Sequence, residues 1–363
     1  MVRVPSFQSP PGQNLLHWSI VSSTKEIPAR QSVLEYPAYG TPQDVLQVID
    51  RPVPVPGPGV ALIEMQASPI HPSDLGLIQG SYGRPRIPPA IGGREGVGTV
   101  VKVGKGVDEK ILGRPVALIE DQGTWQEYQL AKADDLILFP ALVPFVQLAV
   151  SLLNPLTAWR LLHDFEYLSP GDVIVQNAGN SAVGQSVIQL CRRLGVTCVS
   201  LIRNPAHMPD LKNLGAKEVW LDDDDVPARM REFTEGEGAK LALNSVGGRS
   251  AIRLTRCLGA GGIHVTFGAM DGNAVRFPTR GLIFEDIHMV GFWMDRWKRK
   301  QSQAGFRNAC EKVLQPLAMT ELTHSVDQIF NLCEFREAFA RNAESRLGKV
   351  LFARDKEYLA SLQ

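Results

Sequence analysis

DVIVQNAGNSAVGQSVIQLCRRLGVTCVSLIRN, residues 172–204, is the stretch whose reading decides the fold. The β-branched run 172–177 predicts a strand, and Gly179 and Gly184 then bracket a tight turn. Over 182–194, Val183, Val187, Leu190, Cys191 and Leu194 share one face of a helix, and 196–202 reads as a second strand. Such a strand–turn–helix–strand unit binds a pyrophosphate on the N–H groups of its helix start. The glycine fingerprint is incomplete, Gly179-x-Ser181-x-x-Gly184, and a degraded pattern is weak by itself. Its place between a strand and an amphipathic helix strengthens it; the competing reading is a glycine turn that only packs helix on sheet. Ser181 can still offer its backbone N–H, with its hydroxyl as a further donor.

The end of the second strand selects the dinucleotide. NAD-preferring sites place an acid there to accept from the ribose 2′-hydroxyl. This sequence has Arg203, whose guanidinium suits a 2′-phosphate, although a solvent-facing Arg at a strand end is the plainer alternative. With no acid in that place, the sequence points to NADPH.

Working outward, a helix near 208–214 and strands at 218–221, 241–246 and 263–267 continue the alternation, which predicts a doubly wound parallel sheet. The DDDD run at 222–225 is expected to be a solvated loop. Beyond about residue 305 the pattern weakens: a helix near 304–316 and a strand-like KVLFAR at 349–354, expected to return to the first domain. Upstream, Asn154 is predicted to cap a helix with Pro155 at its first position and an apolar face of Leu156, Trp159, Leu161, Leu162 and Phe165. Earlier still, residues 32–55 and 60–67 alternate, and short strands are expected at 98–103, 115–119 and 126–130, giving a β-rich, barrel-like domain. RPVPVPGPG (51–59) must be a loop, since so many prolines cannot hold ladder hydrogen bonds. The expected division is an N-terminal extension over 1–30, a β-rich domain over 31–153, a dinucleotide-binding domain over 154–304 and a C-terminal return over 305–363.

Bulk properties agree. A chain of 363 residues has room for two cores, and 44% hydrophobic with 21% charged residues is an ordinary globular composition. A formal net charge of +0 speaks against a purely electrostatic nucleic-acid binder. No apolar run approaches the roughly 20 residues that cross a bilayer; the longest, 142–153, is broken by Pro144, Gln147 and Ser151 and reads as buried structure. The five cysteines are odd in number, lack a C-x-x-C pair and all follow residue 190, which argues against a disulfide scaffold or zinc ribbon and for a reducing compartment. Residues 1–30 carry Arg3, Lys25 and Arg30 against Glu26, which fits either a short mitochondrial transit segment or a disordered extension.

A β-rich domain ahead of a doubly wound one resembles the medium-chain dehydrogenase/reductase superfamily over nearly the whole chain. The fold class expected is α/β, a GroES-like β-rich catalytic domain plus a doubly wound parallel-sheet (Rossmann) dinucleotide-binding domain. Zinc alcohol dehydrogenases of that superfamily carry Gly-His-Glu with the His as metal ligand; here the stretch is Gly93-Arg94-Glu95, with no Cys before Cys191 and no four-Cys lobe. A guanidinium repels a cation, so the chain reads as zinc-free with no metal site. His71, in SPIHPSD, is a lone imidazole expected to be structural or substrate-facing.

Within the superfamily, PSDLGLIQGSYG (72–83), GTW (123–125), NPLTAW (154–159), QNAGNSAVGQSVIQ (176–189), ALNSVGG (242–248) and GFWMDRW (291–297) resemble the trans-2-enoyl thioester (enoyl-CoA/acyl-carrier-protein) reductases. The resemblance implies that Tyr82 is the catalytic residue, its phenol holding the enolate that forms when hydride reaches Cβ of an α,β-unsaturated thioester. The alternative is a Tyr packed on a Gly/Pro turn. Cofactor contacts are implied at Asn154, at Asn180, Ser181, Ala182, Val183 and Gly184, at Arg203, at Phe267, Gly268, Ala269 and Met270, at Phe292, Trp293, Met294 and Asp295, and at Lys349. This sequence departs from the family at Pro205, where a second Arg is usual and His207 is a partial substitute, and at His71 and Arg94, where the family has Asn. Also implied are an enoyl-CoA or acyl-carrier-protein thioester substrate, a homodimer joined through the dinucleotide-binding domains, no nucleic-acid or membrane partner, and a mitochondrial matrix location in a eukaryote or a cytoplasmic one otherwise. A quinone-reductase-like enzyme and a non-catalytic nucleotide-binding protein remain as alternatives.

Overall fold

The computed structural model describes residues 26–119, 122–139, 143–273, 275 and 278–361; most of the segment on which the transit expectation rests, residues 1–25, lies outside the described residues. In the first half the alternating apolar residues form β1 (Arg30–Tyr36), β2 (Gln47–Pro52), β3 (Val60–Pro69), β4 (Ala90–Ile91), β5 (Glu95–Val103), β6 (Pro115–Ile119), β7 (Tyr128–Lys132) and β8 (Ile137–Leu138). The proline-rich stretch ends β2 at Pro52 and crosses to β3 without pairing, as missing N–H groups require. β3 is central, antiparallel to both β5 and β7. Ile63, Met65, Val100, Val116 and Leu118 fill one core of this lobe.

A second core surrounds Trp125, fully buried, with its ring centroid 5.6 Å from Phe339 and 5.2 Å from Phe352. Gly92 and Gly93 run directly against that indole: a Cβ on either would stand 2.2 Å and 2.5 Å from the nearest Trp125 atom. Gly93 also has φ +86°, which L side chains avoid. The glycine pair lets the backbone press on the indole and delivers the next two residues, Arg94 and Glu95, into the interior at the start of β5.

The second half forms β9 (Val173–Gln176), β10 (Thr197–Ile202), β11 (Glu218–Leu221), β12 (Ala239–Asn244), β13 (Leu258–Thr266) and β14 (His288–Gly291), then β15 (Val326–Phe330) and β16 (Lys349–Ala353). The first six make one sheet in the order β11-β10-β9-β12-β13-β14, every pairing parallel. Chain order reverses between β9 and β12, and ligands bind such sheets at the carboxyl ends of the strands beside that reversal. The helix Ala182–Leu194 has the bounds its apolar face predicts, and Val187, Leu190 and Cys191 bury against Ile174 and Leu241. Gly195, at φ +70°, ends it. β16 leaves this sheet and pairs antiparallel with β3, Leu351 opposite Pro69, with β15 alongside it.

The acidic run after β11 is the solvated loop expected at Asp223, Asp224 and Asp225, which are exposed, but not at Asp222. Asp222 is largely buried and accepts from Arg253 Nε at 2.8 Å and Ser250 Oγ at 2.5 Å. It is the partner that makes a guanidinium on the helix Gly248–Arg256 affordable near the sheet.

Candidate active site

The turn after β9 is built for a close-approaching anion. Gly179 N–H donates to Leu201 O at 2.9 Å; a Cβ on Gly179 would stand 2.8 Å from Ser200 Cβ, and one on Gly184 2.6 Å from Gly179 O. Ser181 is extended at the N-cap and accepts from Gly184 N–H at 3.1 Å, so its hydroxyl keeps a proton to donate. The N–H groups of Ala182 and Val183, in the first turn, have no acceptor within the helix and are the anion-binding donors of such a site. Asn180 Nδ2 reaches Arg346 O at 3.5 Å, which brings the loop before β16 over the turn. Arg203 stands exposed just past β10.

At the neighbouring strand ends, Phe267 N–H donates to Asn244 O and Phe292 N–H to Thr266 O, each at 2.9 Å. A Cβ on Gly268 would stand 2.7 Å from Ser245 O, so the chain hugs the end of β12. Ala269 and Met270 are exposed beyond it. Phe292 packs partly into the core, edge-on to Phe165 at 6.0 Å, and Met294 is buried with Val313 and Leu314.

Tyr82 faces this rim from the other lobe. The helix Pro72–Ile78 ends in a turn at Gly80, and the N–H groups of Ser81 and Tyr82 both donate to Gly76 O, at 2.9 and 3.0 Å. That fixes the backbone. The phenolic oxygen then accepts from two donors, Trp293 Nε1 at 2.9 Å and Arg94 Nη1 at 3.1 Å. The Trp293 and Tyr82 rings meet edge to face, centroids 5.8 Å apart, and Gly83 leaves room for the indole. Arg94, 4% exposed, forms an ion pair with Asp295 across the lobes. Burial raises the Tyr82 pKa; Arg94 opposes that and Asp295 adds to it, so the phenol keeps its proton at neutral pH. A phenol has two lone pairs and one O–H. With both lone pairs engaged by N–H donors, what it can still do is donate.

Glu95, beside Arg94, corrects the expected helix start. The helix runs Leu153–His163, and Glu95 Oε1 accepts from the N–H groups of Leu152 and Leu153, both at 2.8 Å. A carboxylate complements the positive end of a helix better than a neutral amide, so Glu95 takes the capping place predicted for Asn154, and Pro155 sits third in the helix. Asn154 is thereby released: its side chain is buried, and among the described residues Nδ2 has no partner. An orphaned amide donor, a glycine cradle and an exposed Arg at the end of β10 are what a phosphorylated nicotinamide dinucleotide requires, so the residues fit the cofactor.

Lys349, at the start of β16, is buried with Nζ on Ile70 O at 3.2 Å; burial, aided by Arg346, lowers its pKa to about 8. His71 bonds Glu95 Oε2 through Nε2 at 2.9 Å, and burial holds its pKa well below the ordinary value, so it is neutral and structural. Among the described residues no group of three His, Cys, Asp or Glu could hold a metal ion. The sequence reading missed Arg94 and Glu95 as working residues. Their signal was adjacent charges inside a glycine-rich strand, which burial penalises unless each has a partner. A cavity of about 510 Å³ opens at the opposite rim of the parallel sheet, lined by Asp172, Lys240 and Gly259 among others, and contains none of the residues above.

The fold and site together define a two-domain, nicotinamide-dependent reductase of the medium-chain dehydrogenase/reductase class. Residues 57–141 match the model of the alcohol dehydrogenase GroES-like domain and residues 182–312 that of the zinc-binding dehydrogenases. The mitochondrial enoyl-[acyl-carrier-protein] reductase of Caenorhabditis elegans is 35% identical over 340 residues, covering 92% of this chain and 98% of that protein. The chain belongs to the enoyl-[acyl-carrier-protein] reductase family. Among solved structures, the Etr1p complex with NADP and crotonyl-CoA aligns with TM-score 0.80 and 27% identity, covering 89% of this chain and 99% of that one. A Bacillus thuringiensis protein described as a candidate NADPH:quinone reductase aligns with TM-score 0.84 and 28% identity, covering 90% and 99%. Among the described residues no helix is long and apolar enough to cross a membrane.

Proposed function

We propose that this chain reduces the trans-2 double bond of enoyl thioesters with NADPH, and that Tyr82 is the catalytic residue. The observation that carries the reading is the phenol whose two acceptor positions are filled by Trp293 and Arg94 at the cleft between the lobes. NADPH, when bound, supplies the hydride that adds to Cβ. Its phosphates fit the turn 180–184 and Arg203, and Asn154, the strand-end segments 267–270 and 292–295, and Lys349 line the remaining approach. Tyr82 donates its O–H to the thioester oxygen and so stabilises the enolate; the Cα proton comes from the phenol or from a water it orients. Its raised pKa keeps that proton in place at working pH.

The carrier is coenzyme A or an acyl carrier protein, a reading supported by the names of the relatives, which also support a mitochondrial location. We further infer the division at 31–153, 154–304 and 305–363, and a homodimer through the dinucleotide-binding lobes. For the dimer, β14 is an edge strand, and Leu282, Ile283, Phe284 and Val290 are exposed on or near it.

The likeness to a candidate quinone reductase favours one second reading, reduction of small enones or quinones. NADPH oxidation measured with crotonyl-CoA beside benzoquinone, in wild type and Tyr82→Phe, separates the two. Thioester turnover that falls about 100-fold in the variant is expected; quinone turnover without thioester turnover would reject the proposal.

A further inference from the structure

We propose that Arg94 is a positioning residue for this reduction: tied to Asp295 of the opposite lobe, its guanidinium makes the Tyr82 hydroxyl an obligate donor and sets a fixed positive charge behind it. The inference rests on the enoyl reductase reading and concerns a residue at which this chain departs from the family pattern.

Three features support it. The planar guanidinium serves two acceptors at once, the Tyr82 oxygen from Nη1 and Asp295 from Nη2, which a point-charge ammonium cannot reproduce. Trp293 alone would fill one lone pair and leave the other to accept from water or substrate; Arg94 closes that option. Its Cζ also lies 5.0 Å from the Tyr82 ring centroid at a site only 4% exposed, where a fixed charge is weakly screened. When negative charge develops on the substrate oxygen, the phenol O–H is polarised toward it by a cation already in place. No reorganisation is needed, which is how preorganised electrostatics lower a barrier.

The charged groups around the pair are few. Asp295 and Asp74 act on Arg94, Arg296 and Arg299 stack on Trp293 at 6.0 and 4.9 Å, and Arg86 bonds Ile91 O at 2.8 Å on the Tyr82 loop. Arg94 is the cation that touches the phenolic oxygen. Because a guanidinium stays protonated at every working pH, the charge it supplies does not titrate.

The test uses Arg94→Gln, Arg94→Lys, Asp295→Asn and Tyr82→Phe, with NADPH binding followed by fluorescence to establish that each is folded. Arg94→Gln should lower kcat for crotonyl-CoA about 10- to 100-fold with KM changed less than about threefold. It should also move Tyr82 ionisation, read as phenolate absorbance against Tyr82→Phe, to higher pH. Arg94→Lys should recover part of kcat and return the ionisation toward wild type, and Asp295→Asn should give a smaller loss of kcat. An Arg94→Gln enzyme with kcat within about threefold of wild type or with unmoved ionisation overturns the inference, as does a Lys variant no better than the Gln one. Should Arg94→Gln fail to fold, Asp295→Asn with unchanged kcat and ionisation overturns it. If Tyr82→Phe keeps full thioester activity, the reductase reading itself fails, which is a different outcome.

Discussion

Replacing Glu95 tests whether a buried carboxylate holds the site together. Its side chain is shielded from solvent, Oε1 takes the N–H groups of Leu152 and Leu153 at 2.8 Å each, and Oε2 meets His71 Nε2 at 2.9 Å. Glu95→Ala strands two backbone donors and an imidazole nitrogen in a space closed to water. Each unmet buried group costs about 1–3 kcal/mol, so the three together should cost the variant about 3–9 kcal/mol. Glu95→Gln keeps an amide oxygen for both N–H groups and an N–H₂ for His71, the pattern of the protonated acid, so it strands none of these groups. Urea unfolding followed by circular dichroism at neutral pH should place Ala well below both wild type and Gln. NADPH affinity should fall with Ala as well, because the same helix end carries Asn154. Equal stability of the Ala and Gln variants would refute the capping account.

The same pair makes a signed pH prediction. Burial raises the Glu95 pKa from 4.5 to about 7. Between those values the unfolded chain has lost the proton while the folded one retains it on Oε2, shared with His71, so folded protein binds more protons and stability falls as pH rises. Glu95→Gln lacks this dependence and should gain about 3 kcal/mol relative to wild type from pH 4.5 to 7. His71, kept neutral by burial, pulls the other way, losing stability as pH falls, but it is present in both proteins and drops out of the difference.

Three further outcomes are expected. Arg203→Ala should raise KM for NADPH about 10- to 100-fold while leaving NADH kinetics near wild type, as steady-state assays with both cofactors would show. Gly184→Val should abolish NADPH binding by fluorescence titration, because its Cβ would meet Gly179 O at 2.6 Å and Ala178 O at 2.7 Å, backbone atoms that cannot swing aside. Asn154→Leu should stabilise the cofactor-free protein, since an unpartnered buried amide is removed, and weaken NADPH binding; thermal melts with and without NADPH read both signs.

The dinucleotide sheet was legible because its signals are local. Val, Ile and Leu runs, one helical face and two glycines suffice to fix β9, the helix Ala182–Leu194 and β10, all within a residue or two of their predicted ends. Legibility fails where a residue's partner is distant in sequence. Asn154 beside Pro155 reads as a cap, but the cap is Glu95, 57 positions before the Leu152 whose N–H it takes. Asp222 reads as one acid in a solvated run until Arg253 packs on it. Tyr82 was recognisable from its motif, yet its acceptors' occupants were not: Arg94 and Trp293 lie 12 and 211 positions away. Arg94 looked like the loss of a metal-binding histidine. Its positive role depends on an ion pair with Asp295, 201 positions on, which no spacing argument reaches.

The two lobes contribute unlike things to one cleft, and that has a consequence for how the site is assembled. Tyr82 and Arg94 come from the β-rich lobe, Trp293 and Asp295 from the segment just after β14, and each of the two cross-lobe links, Trp293 to Tyr82 and Arg94 to Asp295, is a hydrogen bond or ion pair with a directional requirement. The chain passes from the β-rich lobe into the dinucleotide sheet once, and returns after β14 to place β16 against β3. Two covalent connections restrict the relative motion of the lobes more than one would. In the proposed mechanism the glycine pair pressed on Trp125 therefore matters alongside Tyr82, because it delivers Arg94, which donates to the phenolic oxygen, and Glu95, which takes the N–H groups at the start of the helix bearing Asn154.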